Sequence, residues 1–417
     1  MRIGIVGSGI AGLGTAVLLR RAGHSVDLLE RSAAPRPLGA GLFLQPPGAA
    51  ILADIGGLSL LSRSASRITR IDSRTTAGAQ LIDVDYARVD AGLCAFGLTR
   101  PAIWNALFEP AVTAGVTVKA GVEVIAADNR GDQAVLTFRS GQSESYDFVV
   151  LASGTHASVL PAGLRRRARL YPWGCLWTTV EIPAGWPDDT LVQRCAGTQV
   201  MVGVLPTGRA EGRRVAAIYW SIRNDAVAAW RATPLQSWKD AVRRVWPDAG
   251  ALVEGLAHED FQHATYRDVW ASPPYVGRVL LVGDAAHGTS PQLGQGATQA
   301  LRDAEAVSVA LAEENLSGRE IASRLAAYWE GRRRRVAFYR LASRLLTPVF
   351  QSDGAALAFL RDLAAGPIGR IPFIRRQAVL TSIAAKTGIL SDDAQGFIER
   401  LRAAPFAAEL LTDAAEA

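Results

Sequence analysis

Arg2-Ile3-Gly4-Ile5-Val6 runs straight into Gly7-Ser8-Gly9-Ile10-Ala11-Gly12, and the reading of that junction decides the fold. The first five residues make a short apolar strand and the next six a glycine turn. Leu13 to Leu19 is an apolar helical run closed by Arg20, Arg21 and Gly23; Ser25 to Leu29 is a second strand, with Glu30 at its end. Strand, glycine turn, helix, strand and acid within about 30 residues is the arrangement that holds a dinucleotide. Gly7 permits the tight turn, Gly9 leaves room for a pyrophosphate, and Gly12 lets helix and strand pack closely. The helix N-terminus offers free N–H groups and about half a positive charge. Glu30 is placed to accept hydrogen bonds from a ribose. A generic strand-to-helix turn explains the glycines but not the acid. A secretory signal needs a small-residue cleavage site, and none precedes Glu30.

A chain of 417 residues buries enough core for about two or three domains. Its net charge of +6 is carried almost wholly by arginine, because Lys119, Lys239 and Lys386 are the only lysines. Modest basicity suits an anionic cofactor. The clusters Arg165–Arg167 and Arg332–Arg335 lack interleaved aromatics. They read as solvated faces or a pyrophosphate-side patch, so no nucleic-acid partner is expected. Cys94, Cys175 and Cys195 have neither paired nor metal-ligand spacing, which implies a reduced, cytoplasmic protein without a metal site. No run is long and apolar enough to span a bilayer.

Further along, Arg36 to Pro46 is a glycine-rich loop entering a strand, with Gln45 positioned to line a flat cofactor. Thr99-Arg100-Pro101 opens a helix to about Ala114, which puts Arg100 at a helix entrance, either facing an anion or capping the surface. Four short strands are expected from Val116 to Val150. Leu170 to Ile222, rich in β-branched and aromatic residues, reads as the antiparallel sheet of a second domain. Helices fill about 225–254, and a strand runs from Phe261 to Trp270. Val279 to Val282 is another buried strand, ending in Gly283-Asp284-Ala285-Ala286-His287. A loop through Pro291, Gly294 and Gly296 then enters a helix over Ala297–Leu311. Asp284 can accept hydrogen bonds from cofactor hydroxyls, and the helix N-terminus can stabilise negative charge on a bound ring. Ser317 and Glu320 form a capping box for a helix to Leu346. Amphipathic helices follow from Pro348; the stretch Leu357–Leu390 reads as a packed helical cap in preference to a membrane-surface element.

Together these segments resemble the class A flavoprotein monooxygenases, the p-hydroxybenzoate hydroxylase-like aromatic hydroxylases. The resemblance implies an α/β fold: a Rossmann-like FAD-binding domain (1–70, 99–165 and 271–345), an antiparallel-sheet substrate domain (71–98 and 166–270), and a C-terminal helical region (346–417). It implies FAD held by Gly7, Gly9, Ala11, Gly12, Glu30 and Arg31 of the first motif, by Gln45 and Arg100, and by Gly283, Asp284, Pro291, Gly294 and Gly296 of the second. Glu30 would hold the adenosine ribose, Asp284 the ribityl chain, and Gly294 and Gly296 the isoalloxazine. It further implies that NAD(P)H visits transiently to reduce FAD, and that molecular oxygen then gives a C4a-hydroperoxide that hydroxylates an electron-rich ring. The sequence departs from the family at Ser153-Gly154 and Leu160, where Asp-Gly and an arginine are usual.

The aromatic sheet region, poor in carboxylate-clamping residues, points to a bulky aromatic or polycyclic substrate. His258, His263, Tyr219 and Tyr266 are candidate bases for a phenolic one, each with a plain core or surface role as the alternative. A monomer or homodimer is expected. Other outcomes open to such a chain are a FAD- or ligand-binding protein with little turnover, an epoxidase or a Baeyer–Villiger enzyme. A halogenase is disfavoured, because no lysine precedes Lys119 and Trp177 to Pro183 lacks the Trp-x-Trp-x-Ile-Pro spacing.

Overall fold

A computed structural model describes residues 1–35, 41–61, 64–313 and 315–403. The first part of the glycine-rich loop, 36–40, and the end of the expected C-terminal region, 404–417, lie outside the described residues. In the strand Arg2–Val6 (β1), Ile3 and Ile5 pack into one core cluster and Val6 into another, so its sheet is covered on both faces. The helix Ile10–Arg21 (α1) returns the chain, and Ser25–Glu30 (β2) pairs parallel to β1. Phe148–Leu151 (β3) pairs parallel on the other side of β1, and Val279–Leu281 (β4) continues the sheet. Thr117–Ala120 and Tyr275–Val276 form its edges, giving six strands. Because β1, β3 and β4 run parallel, their C-terminal ends share one rim. The turns at Gly7 and Gly283, far apart in sequence, therefore open onto the same crevice.

Five strands, not four, fill 117–151. The division falls at Asp147, whose carboxylate accepts from Arg2 N at 2.6 Å while its own N–H donates to Arg2 O at 2.9 Å. Ser143–Tyr146 thus belongs to a three-stranded antiparallel sheet, whereas β3 enters the parallel one.

The second large sheet has seven strands, drawn from 70–85 and 166–271. It is antiparallel apart from one pair: Thr190–Ala196 runs parallel to Arg70–Thr75. That pairing departs from the sequence expectation because its partner arrives from early in the chain rather than by a hairpin. Trp220, Trp238, Trp246 and Phe261 fill the core on one face of this sheet.

Gly296–Ala310 (α2) packs on α1, and Gly318–Phe350 (α3) follows with Ser317 and Glu320 forming the expected capping box. The long helix continues through Pro348 instead of ending at Leu346. Pro348 lies so near the C-terminus that it removes only one ladder donor. Thr347 Oγ1 donates to Ser343 O at 2.6 Å, and Ser352 Oγ to Pro348 O at 2.7 Å, securing the last turn. The helices Ala355–Gly369 (α4), Pro372–Ser382 (α5) and Ala394–Ala403 complete the described chain.

A Cβ on Gly12 would stand 1.9 Å from Gly7 O, inside the turn that joins β1 to α1. Gly12→Ala is expected to destabilise the protein by about 1–3 kcal/mol in urea unfolding; unchanged stability would contradict this packing.

Candidate active site

The crevice above β1, β3 and β4 opens into a cavity of about 1040 Å³, lined from the parallel-sheet side, the seven-stranded sheet and the C-terminal helices. That is at the upper end of the roughly 300–1,000 Å³ of small-molecule sites, room for a dinucleotide and a second ligand together.

On the parallel-sheet side, Gly7 adopts φ +105°, which its lack of a Cβ permits. Nothing lies within 4 Å of where a Cβ on Gly9 would stand, so the space before the α1 N-terminus is open. Glu30 lines this end of the cavity. Desolvation pushes its carboxyl up. Hydrogen bonds from Ser32 N at 2.9 Å, Ser8 N at 3.0 Å and Ser8 Oγ at 2.7 Å outweigh that and hold it below the usual range. The ionised acid keeps lone pairs for a ribose. Gly9, Ala11, Glu30, Arg100, Asp284, Pro291, Gly294 and Gly296 all line the cavity. Gly7, Gly12 and Gly283 shape the turns from behind. Arg31 is exposed and outside the lining.

Gln45 also lies outside the lining. It is fully buried behind Gly294, its Oε1 accepting from Tyr86 Oη at 2.7 Å and its backbone N–H donating to Thr298 Oγ1 at 3.0 Å. Its Nε2, 3.7 Å from where a Cβ on Gly294 would stand, has no hydrogen-bond partner among the described residues.

Asp284 projects into the cavity from the second turn and makes no side-chain hydrogen bond with any described residue. Its only exposure is to the void, so desolvation raises its carboxyl, while His287 and Arg100 pull it back. Arg100 opens its helix at Arg100–Thr113 with a guanidinium 5.6 Å from the Trp177 ring and a buried Nε without a partner. Desolvation lowers its proton affinity, against the attraction of Asp284 and Cys175. An open helix N-terminus, an unpaired acid and an orphaned guanidinium facing one void fit the pyrophosphate and hydroxyls of FAD.

Asp303 was not singled out in the sequence, yet it fixes this geometry. Fully enclosed beneath the second turn, its carboxylate accepts from Gly283 N at 2.8 Å and Arg332 Nε at 2.8 Å, and lies 2.5 Å from His287 Nε2. Desolvation opposes its charge, but His287, Arg332 and these hydrogen bonds hold its carboxyl far below the ordinary range. Arg332 also donates to Gln299. The run Arg332–Arg335 is therefore only half solvated: Arg332 and Arg335 are buried and paired, and Arg333 and Arg334 face out. A spacing of three on a helix, with acids on the facing elements, was the available signal.

Arg166 is a second clip missed in the sequence. Its guanidinium donates to Ala285 O at 2.7 Å and Thr155 O at 2.6 Å, tying the Ser153–Ala157 turn to the second motif.

The four candidate bases separate. Tyr219 and Tyr266 line the cavity; Gln193 donates to the Tyr219 hydroxyl, and Tyr266 sits beside the Cys175 thiol. Burial pushes both phenols well up, so they remain protonated donors rather than bases. His258 and His263 are not in the lining. His258 packs against the Trp230 ring at 4.7 Å, and His263 Nε2 lies 3.0 Å from Asn224 Oδ1.

Two glycine turns opening on one cavity at the rim of a parallel sheet are the frame of a flavoprotein of the Rossmann-like α/β class. Residues 1–339 match the family described as FAD binding domain, and the chain belongs to it. It is an FAD-dependent monooxygenase of the aromatic hydroxylase family. A 3-amino-4-hydroxybenzoate 2-monooxygenase of Streptomyces cremeus is 30% identical over 73% of this chain and 76% of that protein. A 6-hydroxynicotinate 3-monooxygenase of Bordetella bronchiseptica is 26% identical over 88% and 97%. The structure of Klebsiella pneumoniae HpxO with FAD and uric acid shares the fold with a TM-score of 0.76 at 21% identity, covering 94% of this chain and 98% of that one. Among the described residues no helix is long and apolar enough to cross a membrane, and no cluster could hold a metal ion.

Replacing Asp303 by Asn leaves Arg332 buried without its counter-charge, so a loss of about 3–5 kcal/mol is expected. Because the folded carboxyl lies below its unfolded value of about 3.9, this stabilisation is complete above about pH 4 and fades as pH falls. Urea unfolding should show the gap between wild type and Asp303→Asn narrowing in acid; a gap independent of pH would refute the assignment.

Proposed function

We propose that the chain uses NAD(P)H and molecular oxygen to hydroxylate a neutral, apolar aromatic or polycyclic small molecule. Bound FAD supplies the redox and oxygen-activating chemistry. Residues of the first motif, with Glu30 and Arg100, hold its adenosine and pyrophosphate end, and Asp284 with the Pro291–Gly296 loop holds its ribityl and ring end. Residues 1–70, 99–165 and 271–345 serve that task, and 71–98 with 166–270 receive the substrate.

The observation that carries the substrate class is the distribution of charge. The cavity's charged lining residues are Glu30, Arg100, Arg267 and Asp284. The first, second and fourth face the cofactor end, and Arg267 lies within electrostatic reach of Arg166 beside the Thr155 turn. Toward the seven-stranded sheet the wall is mostly apolar, with Ile71, Ile82, Val84, Trp177, Leu191 and Leu205, relieved by Gln193, Tyr219, Tyr266 and Arg267. Such a wall excludes water, and apart from Arg267 it offers a carboxylate no counter-charge. The two named relatives act on carboxylated rings; this wall favours uncharged ones. Tyr219 and Tyr266, held protonated, donate to a ring oxygen and orient it.

The test is turnover of neutral phenols and polycyclic quinones beside benzoate- and nicotinate-type acids under ¹⁸O-labelled oxygen. A neutral ring gaining one labelled atom, with carboxylated analogues at least about tenfold slower in kcat/KM, is expected. Preference for the acids would overturn the substrate class, and no labelled product from any compound would overturn the hydroxylation itself.

A further inference from the structure

The helix α4 is amphipathic in the wrong sense for a core helix. Ala356, Phe359, Leu360, Leu363 and Pro367, spaced i, i+3, i+4, i+7 and i+11, all face outward, with Phe359 68% and Leu363 65% exposed. Its arginine, Arg361, is buried instead, donating to Val349 O at 3.0 Å and Gly197 O at 3.1 Å. The apolar face continues through Ile368, Ile371 and Phe373 into α5, and Leu345 of α3 is also exposed. Of the 17 large apolar residues exposed among the described residues, 11 fall at or beyond Leu341, so this is one concentrated region and not ordinary scatter.

Charge selects the occupant. Arg370 and Arg376 are exposed on the same two-helix unit, and neither has an acidic partner among the described residues. A second copy docked by two-fold symmetry would bring a matching pair of arginines to the same face, where the one acid of the two helices, Asp362, is already paired with Arg361. An anionic bilayer answers both features: acyl chains for Phe359, Leu363 and Phe373, headgroups for the arginines. With 15 residues, α4 rises about 22 Å, short of the roughly 30 Å hydrocarbon core, so it lies on a membrane and does not cross it.

The same unit touches the cavity. Ile374 of α5 is both exposed and part of the cavity wall, and Gln377, Ala378 and Thr381 continue that wall inward. We propose that the outer face of α4 and α5 docks on an anionic lipid surface, placing the α5 side of the cavity against the apolar layer, from which an uncharged substrate is taken up. The docking does not depend on the assignment of the reaction; the uptake of an uncharged substrate rests on it.

Flotation of the full chain, loaded with FAD, tests this with vesicles of phosphatidylcholine alone and of phosphatidylcholine with phosphatidylglycerol. Wild type should float with the anionic vesicles, and less so with neutral ones or in high salt. Phe359→Ser with Leu363→Ser should lower partitioning at least about tenfold. Arg370→Glu with Arg376→Glu should abolish the preference for anionic lipid. All these positions are exposed, so flavin absorbance and circular dichroism should stay at wild-type values. No flotation with anionic vesicles, or variants floating as wild type does, would overturn the proposal. So would a dimer in light scattering that the serine variant dissolves while vesicles are ignored; that result would assign the face to a second copy.

Discussion

One buried carboxylate, Asp303, sets the geometry on which the site depends. It is enclosed by protein, stays ionised, and gathers Gly283 N, His287 and Arg332 around it. An acid buried there is costly unless paired and hydrogen-bonded. Here each demand is met by a group that must itself be held. Gly283 begins the turn that aims Asp284, His287 ends it, and Arg332 links it to the long helix. The neutralised cluster thus converts electrostatic cost into position: Asp284 emerges from the turn toward the cavity, unpaired and ready for a ligand's hydroxyl groups.

A second cluster repeats the device nearer the C-terminus. Asp393 pairs with Arg302 of α2 at 3.1 Å and Arg335 of α3 at 2.6 Å, while Gln295 Nε2 donates to Ser382 O at 2.9 Å. The α5 wall of the cavity is therefore tied to the same helix whose N-terminus faces the cofactor end.

The first motif was legible in the sequence because each level agrees there: apolar strand, required glycines, apolar helix and terminal acid. The second was legible because Asp284 follows a buried strand and precedes another glycine loop. What escaped depends on contacts between remote segments. Arg332 and Arg335 look like part of a solvated run until the helix turns them onto Asp303 and Asp393. Gln45 is held by Tyr86 behind Gly294, a placement set by a residue 41 positions away. His258 and His263 offer suitable chemistry, but the turn His258–Asp260 packs the first on Trp230 and Asn224 holds the second, both outside the cavity lining. The parallel pairing of 190–196 with 70–75 spans more than a hundred residues, beyond the reach of local periodicity.

The central claim is that two distant turns close around one FAD. The most direct measurement is titration of the flavin-free protein with FAD, followed by quenching of flavin fluorescence, for wild type and Gly9→Ala. Because a Cβ at Gly9 would meet only open cavity, the variant should fold as wild type does and fill the space reserved for the pyrophosphate. One FAD bound per chain, with affinity reduced at least about tenfold in Gly9→Ala at unchanged stability, is the predicted result. Wild-type protein that takes up no FAD, or a variant that binds it equally well, would contradict the account.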